Sequence, residues 1–250
     1  MLTVLLLTAL AGEVPAELAD RVRAFESRTG VQLRLPGHGD EPLPANGDRF
    51  GPVDPALARK ALPHLQSVLE QYPNSIRGGL LQDLHLFGRF QPGGVPYLAM
   101  SRPKLHRIDL AVRPNTRMAA LRSTLHHEIG HLLELNPAFP ADRWTALSAS
   151  YAGRLRKQQE TKGLGQSAWL AQGFISRYAS KNRHEDFAEL AQFGFQQPGR
   201  LRALSNTWPA LGAKVELMTE VYRDLAPGLD LPWTPGPDPA GTAPVTREIR

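Results

Sequence analysis

The spacing of hydrophobic and polar residues predicts a helix and then a strand near the start of the chain. Apolar side chains recur at helical spacing from Val14 to Phe25, which indicates a helix over 13–30 that ends at Gly30. The apolar residues that follow predict a short strand at 31–35.

Proline and glycine mark the next loop and helix. Residues 36–54 are rich in Pro, Gly, Asp and Asn and predict a long loop. A helix is expected from Asp54 to Tyr72, with Pro55 in its first turn. Pro63 predicts a kink or a break inside that helix, because proline removes a backbone hydrogen bond.

Three short runs then predict strands at 84–90, 95–100 and 107–112. The last run alternates apolar and polar residues, as expected of a strand with one buried face. Pro96 lacks a backbone N–H, so the run at 95–100 suits the edge of a sheet.

Helical periodicity dominates the second half of the chain. One helix begins near Asn115 or Thr116 and ends at Asn136, before Pro137. Residues 226–250 are rich in Pro and Gly, which is typical of an extended tail. Further helices are predicted at 141–160, 166–180, 184–195 and 210–225.

This order of elements favours an α+β fold, in which a small mixed sheet is followed by a central helix and a mainly helical C-terminal lobe. We expect a single domain over 1–225 and a separate tail over 226–250. Within the domain, an α/β lobe would cover about 13–136 and a helical lobe about 137–225.

Composition narrows the possible chemistry. The 250 residues include no cysteine, which excludes disulfides and any cysteine-based metal site or nucleophile. A bound metal must therefore use His, Asp or Glu. The net charge of +5 comes from scattered basic residues without interleaved aromatics, so nucleic-acid binding is not expected.

Residues 1–11 form an apolar run that is too short to span a membrane. The run resembles the hydrophobic region of a signal peptide, and Ala9-Leu10-Ala11 fits a small-x-small cleavage pattern. No Lys or Arg precedes it, so a buried N-terminal strand is an equal alternative. Secretion or export to the periplasm and a cytoplasmic location both remain open, and stable membrane insertion is not expected.

Residues 127–131 have the form H-E-x-x-H. Residues four apart share one face of a helix, so His127 and His131 can bind one metal ion with Glu128 beside them. The histidines fall nearly opposite an apolar stripe and are expected to face a cleft. That stripe consists of Met118, Leu121, Leu125, Ile129 and Leu132.

A catalytic zinc site usually has three protein ligands and one open position. A third histidine at the metzincin spacing is absent, because positions 134 and 137 are Glu and Pro. Glu185 and Glu189 lie one helical turn apart further along the chain, and they suit one ligand and one hydrogen-bond acceptor for a ligand imidazole.

Several alternatives for the third ligand remain open on the residues alone. Asn182 and Glu185 have the spacing of a capping box, so Glu185 could cap its own helix instead. His184, Asp186 or Glu189 could then bind the metal.

The H-E-x-x-H block and the segment Tyr–x6–Glu-x-x-Ala-Glu at 178–189 resemble the gluzincin metallopeptidases. The likeness is to the branch with the anthrax lethal factor catalytic domain and related bacterial zinc-binding metallopeptidases, and it covers about 118–195. The chain lacks that toxin's large additional domains, so its substrate does not carry over. The resemblance implies a zincin-like fold and one Zn²⁺ ion. Its residues would be His127, His131 and Glu185 as metal ligands, Glu128 as general base, Tyr178 at the oxyanion and Glu189 beside the ligands.

We therefore expect zinc-dependent hydrolysis of a peptide or protein by metal-activated water, with Glu128 as the base. The run at 95–100 is the expected edge strand for extended substrate. Residues 157–169 fit an ordinary solvent loop better than a lid. The alternative is a non-catalytic zinc-binding protein that uses the same fold as a binding module. Glu128 and Tyr178 argue against it, because metal binding alone needs neither.

Overall fold

The computed structural model describes residues 14–38, 50–148 and 165–234, and these form a mixed α+β fold with a small sheet and mostly helices. The helices are α1 (Ala16–Thr29), α2 (Pro55–Leu69), α3 (Met118–Glu134), α4 (Ala141–Ala146), α5 (Gln166–Ala171), α6 (Arg183–Gln196), α7 (Pro198–Thr207) and α8 (Pro209–Leu225). The strands are β1 (Gln32–Arg34), β2 (Phe50–Pro52), β3 (Asp83–Phe90), β4 (Ala99–Arg102) and β5 (Arg107–Ala111).

The five strands form one mixed sheet in the order β1-β3-β5-β4, with β2 paired to β3 off this path. The pairs β1–β3 and β3–β5 are parallel, whereas β4 runs antiparallel to β5. In the part of the chain that the structure describes, no other strand pairs with the outer side of β4. That side is therefore an edge whose backbone groups can pair with another extended chain.

The two faces of the sheet belong to different apolar clusters. Ala99 and Ile108 pack in the large core shared with the helices, whereas Met100 packs against Phe87 and Phe90 on the opposite face. Because side chains alternate along a strand, Ser101 falls on the same face as Ala99 and points towards α3. The alternation of side chains along β4 thus places the Ser101 hydroxyl beside α3, the helix that carries the H-E-x-x-H motif.

Local sequence signals account for most element ends in the first half. Gly30 adopts a φ of 70° and closes α1, and the Asp54 side chain accepts hydrogen bonds from the first turn of α2. The predicted break at Pro63 is absent, since α2 runs through that residue. The predicted loop over 36–54 is wrong at its end, where Phe50–Pro52 forms β2.

The predicted strand over 95–100 is displaced towards the C terminus. A 3₁₀ turn at Pro92–Gly94 and the missing N–H of Pro96 delay regular pairing, which begins at Ala99. The predicted start of the central helix is also too early. Thr116 accepts a hydrogen bond from the Arg113 N–H (2.8 Å) and belongs to the preceding turn.

The helical half differs from its prediction in two places. The expected helix over 166–180 ends at Ala171, because Gly173 takes a φ of 78° and the chain turns. The sequence did not predict α7, which begins at Pro198 directly after α6. Residues 149–160 of the predicted fourth helix, most of the segment 157–169, and residues 1–11 lie outside the described residues.

Part of the predicted tail contacts the core. Leu231 and Trp233 are buried, and the Trp233 indole donates a hydrogen bond to the Thr219 hydroxyl (3.0 Å). Residues 226–234 therefore pack against the helical half, while 235–250 fall outside the description. Across residues 14–38, 50–148 and 165–234, no helix combines the length and the apolar character that crossing a membrane requires.

The closest approach that matters for the site is between α3 and α6. A Cβ atom added at Gly130 would lie 2.9 Å from the Ala188 Cα atom, which is shorter than a normal contact. Glycine at this position therefore lets the two helices meet through their backbones.

Candidate metal centre

Helix α3 presents the motif on its side away from the apolar stripe. Leu121, Leu125 and Ile129 are fully buried in the core, as the helical pattern predicts. The side chains of His127 and His131 keep 12% and 15% of their surface exposed, which indicates a sheltered but open position. Their rings lie 4.7 Å apart between centroids and nearly perpendicular to each other.

Helix α6 brings Glu185 to the two imidazoles. The Glu185 Oε2 atom lies 3.3 Å from His127 Nε2 and 3.5 Å from His131 Nε2. One nitrogen from each histidine and one oxygen from Glu185 all fall within 4.8 Å of one another. The three side chains could therefore hold one metal ion between them.

The donor set fits a divalent cation of the zinc type. The Glu185 Oε2 atom is buried and, among the described residues, has no hydrogen-bond partner. A buried carboxylate oxygen without a partner is costly unless a cation compensates it. Two imidazole nitrogens and one carboxylate oxygen are ligands that Zn²⁺ accepts, and three protein ligands leave a position for water.

The carboxylates around His127 favour a positive charge at the imidazoles. Burial lowers the pKa of His127, but the carboxylates of Glu185, Glu189 and Glu128 outweigh it and raise that pKa to about 9. Burial raises the pKa of Glu185, but the neighbouring imidazoles of His127 and His131 outweigh it and hold the pKa far below its usual range. The cluster therefore attracts either a proton or a metal cation to the same ring nitrogens.

Glu189 lies one turn further along α6 and approaches the other ring nitrogen of His127. Its Oε1 atom is 3.4 Å from His127 Nδ1, while its Oε2 atom accepts a hydrogen bond from the Ser176 hydroxyl (2.6 Å). This places a carboxylate on the far side of the imidazole from Glu185. The two ring nitrogens of His127 thus face two different carboxylates of α6.

Glu128 is buried between α3 and the edge strand. Its Oε2 atom accepts a hydrogen bond from the Ser101 hydroxyl (2.6 Å), and the same hydroxyl lies 2.8 Å from the Glu128 carbonyl oxygen. A hydroxyl has one hydrogen to donate, so the two acceptors share it. The contact fixes the carboxylate of the motif against β4.

Tyr178 stands over Glu185 from the segment that precedes α6. Its hydroxyl donates to Glu185 Oε1 (3.0 Å), and Lys181 Nζ lies 3.2 Å from the same oxygen. About half of the Tyr178 side chain is exposed, so the hydroxyl sits at the mouth of the cluster. Burial and the negative charge of Glu185 raise the pKa of Tyr178, which keeps the phenol protonated as a donor.

The alternative third ligands point elsewhere. His184 Nδ1 bonds to Glu134, whose buried carboxylate also accepts from Arg183 Nε (2.5 Å). Asp186 faces the core, where its Oδ2 atom accepts from Lys214 Nζ (2.7 Å). The Asn182 side chain caps the Glu185 N–H (2.8 Å), but the carboxylate of Glu185 faces the histidines instead of returning to Asn182.

Three neighbours of the cluster were missed from the sequence. No pattern in the sequence marks Ser101, since its contact with Glu128 depends on how β4 packs against α3. Lys181 precedes Glu185 by four residues, a spacing that could have suggested an ion pair. Glu134 was noted only as the residue that replaces a metzincin glycine, yet it anchors the first turn of α6 to the end of α3.

Comparison with known proteins points in the same direction. The model of a family described as "Putative zinc-binding metallo-peptidase" matches residues 103–197, which include both the H-E-x-x-H helix and α6. No curated protein matches the chain. The fold is similar to the crystal structure of "a putative zinc-binding metallo-peptidase" from Bacteroides caccae, with a TM-score of 0.55 at 13% identity over 84% of this chain and 87% of that one.

Proposed function

We propose that this protein is a zinc-dependent peptidase of the gluzincin type with a zincin-like fold. Its one Zn²⁺ ion is held by His127, His131 and Glu185, and its substrate is a peptide or protein. The observation that carries the proposal is the buried Oε2 atom of Glu185, which has no hydrogen bond from the residues that the structure describes and lies within 3.5 Å of both imidazole Nε2 atoms. The family match over residues 103–197 supports the same chemistry.

The reaction follows from what each side chain can do. Zinc bound there would supply a Lewis acid that activates water and polarises a peptide carbonyl. Glu128 accepts the proton of the attacking water and passes it to the leaving amine. Tyr178 donates its hydroxyl hydrogen to the oxyanion that develops on the carbonyl, because its phenol is protonated and at the mouth of the site.

Two further groups hold these residues in place. Glu189 lies 3.4 Å from the outer ring nitrogen of His127, where its negative charge favours a proton on that nitrogen and leaves Nε2 for the metal. Ser101 holds the Glu128 carboxylate against the edge strand. The same strand offers its open backbone to an extended peptide, so the base and the substrate approach from one element.

The first experiment separates catalysis from metal binding. The variant Glu128→Gln keeps the shape of the side chain but cannot accept the proton. We expect its hydrolysis of casein or a fluorogenic peptide library to fall by about a hundredfold or more, while metal analysis shows wild-type zinc content. Full activity in this variant would refute the base assignment.

The wild-type protein is the control for the proposal as a whole. If it binds one zinc ion but cleaves no peptide in the library, the non-catalytic binding module is the correct function. The matched control is Glu220→Gln, at an exposed glutamate that pairs with Arg143 and not with the cluster. This variant should keep the zinc content and the hydrolysis rate of the wild type.

A further inference from the structure

A cavity of about 580 Å³ lies between the end of α2, the N-terminal half of α3 and the end of α6. None of the metal-cluster residues lines it. The lining residues within α3 include positions 119, 122, 123 and 126, which recur at helical spacing and therefore form one face of that helix. The cavity is thus a separate feature of the helical layer, and what it could bind follows from the groups on its wall.

Two arginines line this cavity without a counter-charge. The side chains of Arg117 and Arg122 make no hydrogen bond or ion pair with any residue that the structure describes. The lining that the structure describes includes no aspartate or glutamate. Arg102 and Arg107 differ in this respect, because both pair with the buried carboxylate of Asp109. Two guanidinium groups that lack a carboxylate partner favour an anionic ligand in the cavity.

The first turn of α3 adds backbone donors at the same place. Arg117 precedes the helix and provides no side-chain cap. The N–H groups of Ala119 and Ala120 therefore have no acceptor among the described residues, and both residues line the cavity. The N-terminal end of a helix combines such free N–H groups with partial positive charge, which is an arrangement that binds phosphate groups.

A buried imidazole provides an independent donor on the cavity wall. His126 lines the cavity and keeps only 5% of its surface exposed. Its Nδ1 atom lies 2.8 Å from the Tyr72 hydroxyl, whereas its Nε2 atom has no hydrogen-bond partner within the described part of the chain. When the Tyr72 phenol donates to Nδ1, the imidazole carries its own proton on Nε2 and can donate it to a ligand.

We propose that this cavity binds a phosphate group, either as free phosphate or as part of a small phosphomonoester. The guanidinium, imidazole and backbone donors on its wall exceed what the two oxygens of a carboxylate can accept, whereas a phosphate group offers at least three acceptor oxygens. The cavity volume falls within the range of small-molecule sites, about 300–1,000 Å³. It leaves room for an organic group beside the stacked rings of His126 and Phe195. This site does not depend on the proposed peptidase function.

Isothermal titration calorimetry of the full chain loaded with zinc tests the site, with inorganic phosphate and glycerol phosphate as separate probes at constant ionic strength. We expect Arg117→Gln and Arg122→Gln each to weaken phosphate binding by about tenfold, because each removes a charge-assisted hydrogen bond. Tighter binding of glycerol phosphate than of inorganic phosphate would identify a phosphomonoester as the ligand, and equal or weaker binding would identify free phosphate. Arg223→Gln is the control, since Arg223 is an exposed arginine of α8 that does not line the cavity.

A second pair of variants tests the location without removing an arginine. Gln71 lines the cavity, so Gln71→Glu brings a negative charge to its wall and should weaken phosphate binding by about tenfold through like-charge repulsion. Gln172→Glu is the matched control. Both glutamines donate to the carbonyl oxygen four residues earlier, at 2.8 Å for Gln71 and 3.1 Å for Gln172, but Gln172 does not line the cavity.

Three results would overturn the phosphate site. The first is a wild-type protein that binds neither probe. The second is phosphate binding that is unchanged in the two arginine variants and in Gln71→Glu, because the anion would then bind elsewhere, for example at the zinc ion. The third is an equal loss in Arg223→Gln or Gln172→Glu, which would attribute the effect to net charge alone. Peptide hydrolysis is not measured in this experiment, so none of these results bears on the proposed function.

Discussion

Two histidines that are neighbours in sequence meet opposite environments on the two sides of α3. His126 is buried against Phe195, with ring centroids 4.4 Å apart, and its Nδ1 atom shares a hydrogen bond with the Tyr72 hydroxyl (2.8 Å). Burial, helped by the positive charge of Arg122, lowers its pKa to about 4. His127 faces carboxylates, which raise its pKa to about 9 despite burial.

The same contrast appears between adjacent carboxylates of α6. Asp186 faces the core and is paired with the buried ammonium of Lys214, which also lies 4.1 Å from the Phe174 ring centroid. Glu185 faces α3 and keeps one buried oxygen without a hydrogen bond from the described residues. On the core side the Asp186 carboxylate has a buried cation beside it, whereas on the cleft side a carboxylate oxygen and two imidazole nitrogens face one another.

This difference separates stability from function along two short helices. A buried ion pair contributes to the fold, and its loss is costly because one charge remains unpaired. A carboxylate that faces two imidazoles at a partly open cleft is suited to a ligand. Substitutions on the two sides should therefore have separable effects.

The largest effect is expected on the core side. Asp186→Ala leaves the Lys214 ammonium buried without its carboxylate and should reduce the free energy of unfolding by about 3–5 kcal/mol, measured by urea denaturation. Replacing both partners with apolar residues, as in Asp186→Leu with Lys214→Met, should recover part of the loss, because the buried Trp144 indole and Ser148 hydroxyl still lose their acceptor. A double variant as unstable as the single one would contradict the assignment of the cost to an unpaired charge.

Glu185→Ala is the matched change on the cleft side. A zinc-binding free energy on the order of 10 kcal/mol shared among three ligands implies a loss of about 3 kcal/mol, or roughly a hundredfold in affinity. Competition with a metal-binding dye measures the affinity. The metal-free variant should be less stable than the metal-free wild type, though by less than Asp186→Ala, because it loses the ion pairs of Glu185 with the two imidazoles. Unchanged zinc affinity would move the third ligand to His184 or Glu189.

Tyr178→Phe tests the role at the mouth of the site. Loss of one oxyanion donor costs about a hundredfold in kcat, while zinc content should stay at the wild-type level because the phenol is not a ligand. Steady-state kinetics on a fluorogenic peptide give the value. A variant with a wild-type kcat would limit Tyr178 to its hydrogen bond with Glu185.

The smallest of these effects is a pH dependence of stability from His126. Its folded pKa of about 4 lies below the unfolded value of about 6.5, so the unfolded state binds the proton more tightly. The stability that His126 contributes is present above pH 6.5 and is lost as the pH falls towards 4. Between pH 7 and pH 5 the loss should be about 2 kcal/mol.

The variant His126→Phe isolates this contribution, since it keeps a ring against Phe195 but has no titrating group. Both proteins are unfolded with urea in metal-free buffer at pH 7 and at pH 5. Between these pH values the free energy of unfolding should fall by about 2 kcal/mol more in the wild type than in the variant. Equal changes in both proteins would contradict the assignment to His126.

The sequence predicted which side chains lie together, His127, His131 and Glu185, better than it predicted the strands that border them. Helical spacing alone puts His127 and His131 on one face of α3 and Glu185 and Glu189 on one face of α6, so local geometry was sufficient there. The choice between Glu185, His184 and Asp186 could not be made locally. It depends on how α6 packs against α3, with Glu134 binding His184 and Lys214 binding Asp186.

The border regions required tertiary information. The predicted helix over 166–180 includes Phe174, Ile175 and Ala179, which are buried although they follow the turn at Gly173 and lie outside α5. The position of β4 depended on pairing with β5, and hydrophobicity could not give that register. The contact between Ser101 and Glu128 follows from this register, so it could not be anticipated.

The contact at Gly130 determines which parts of the two helices are free to vary. Since α3 and α6 meet there at close range, the separation of the two helix backbones, from which the imidazoles and Glu185 extend, is set by this contact. Substitutions on the outer surfaces of both helices, natural or designed, can therefore leave the separation of the two helices unchanged. A methyl group at residue 130, as in Gly130→Ala, would collide with the backbone of Ala188 and would force the two helices apart.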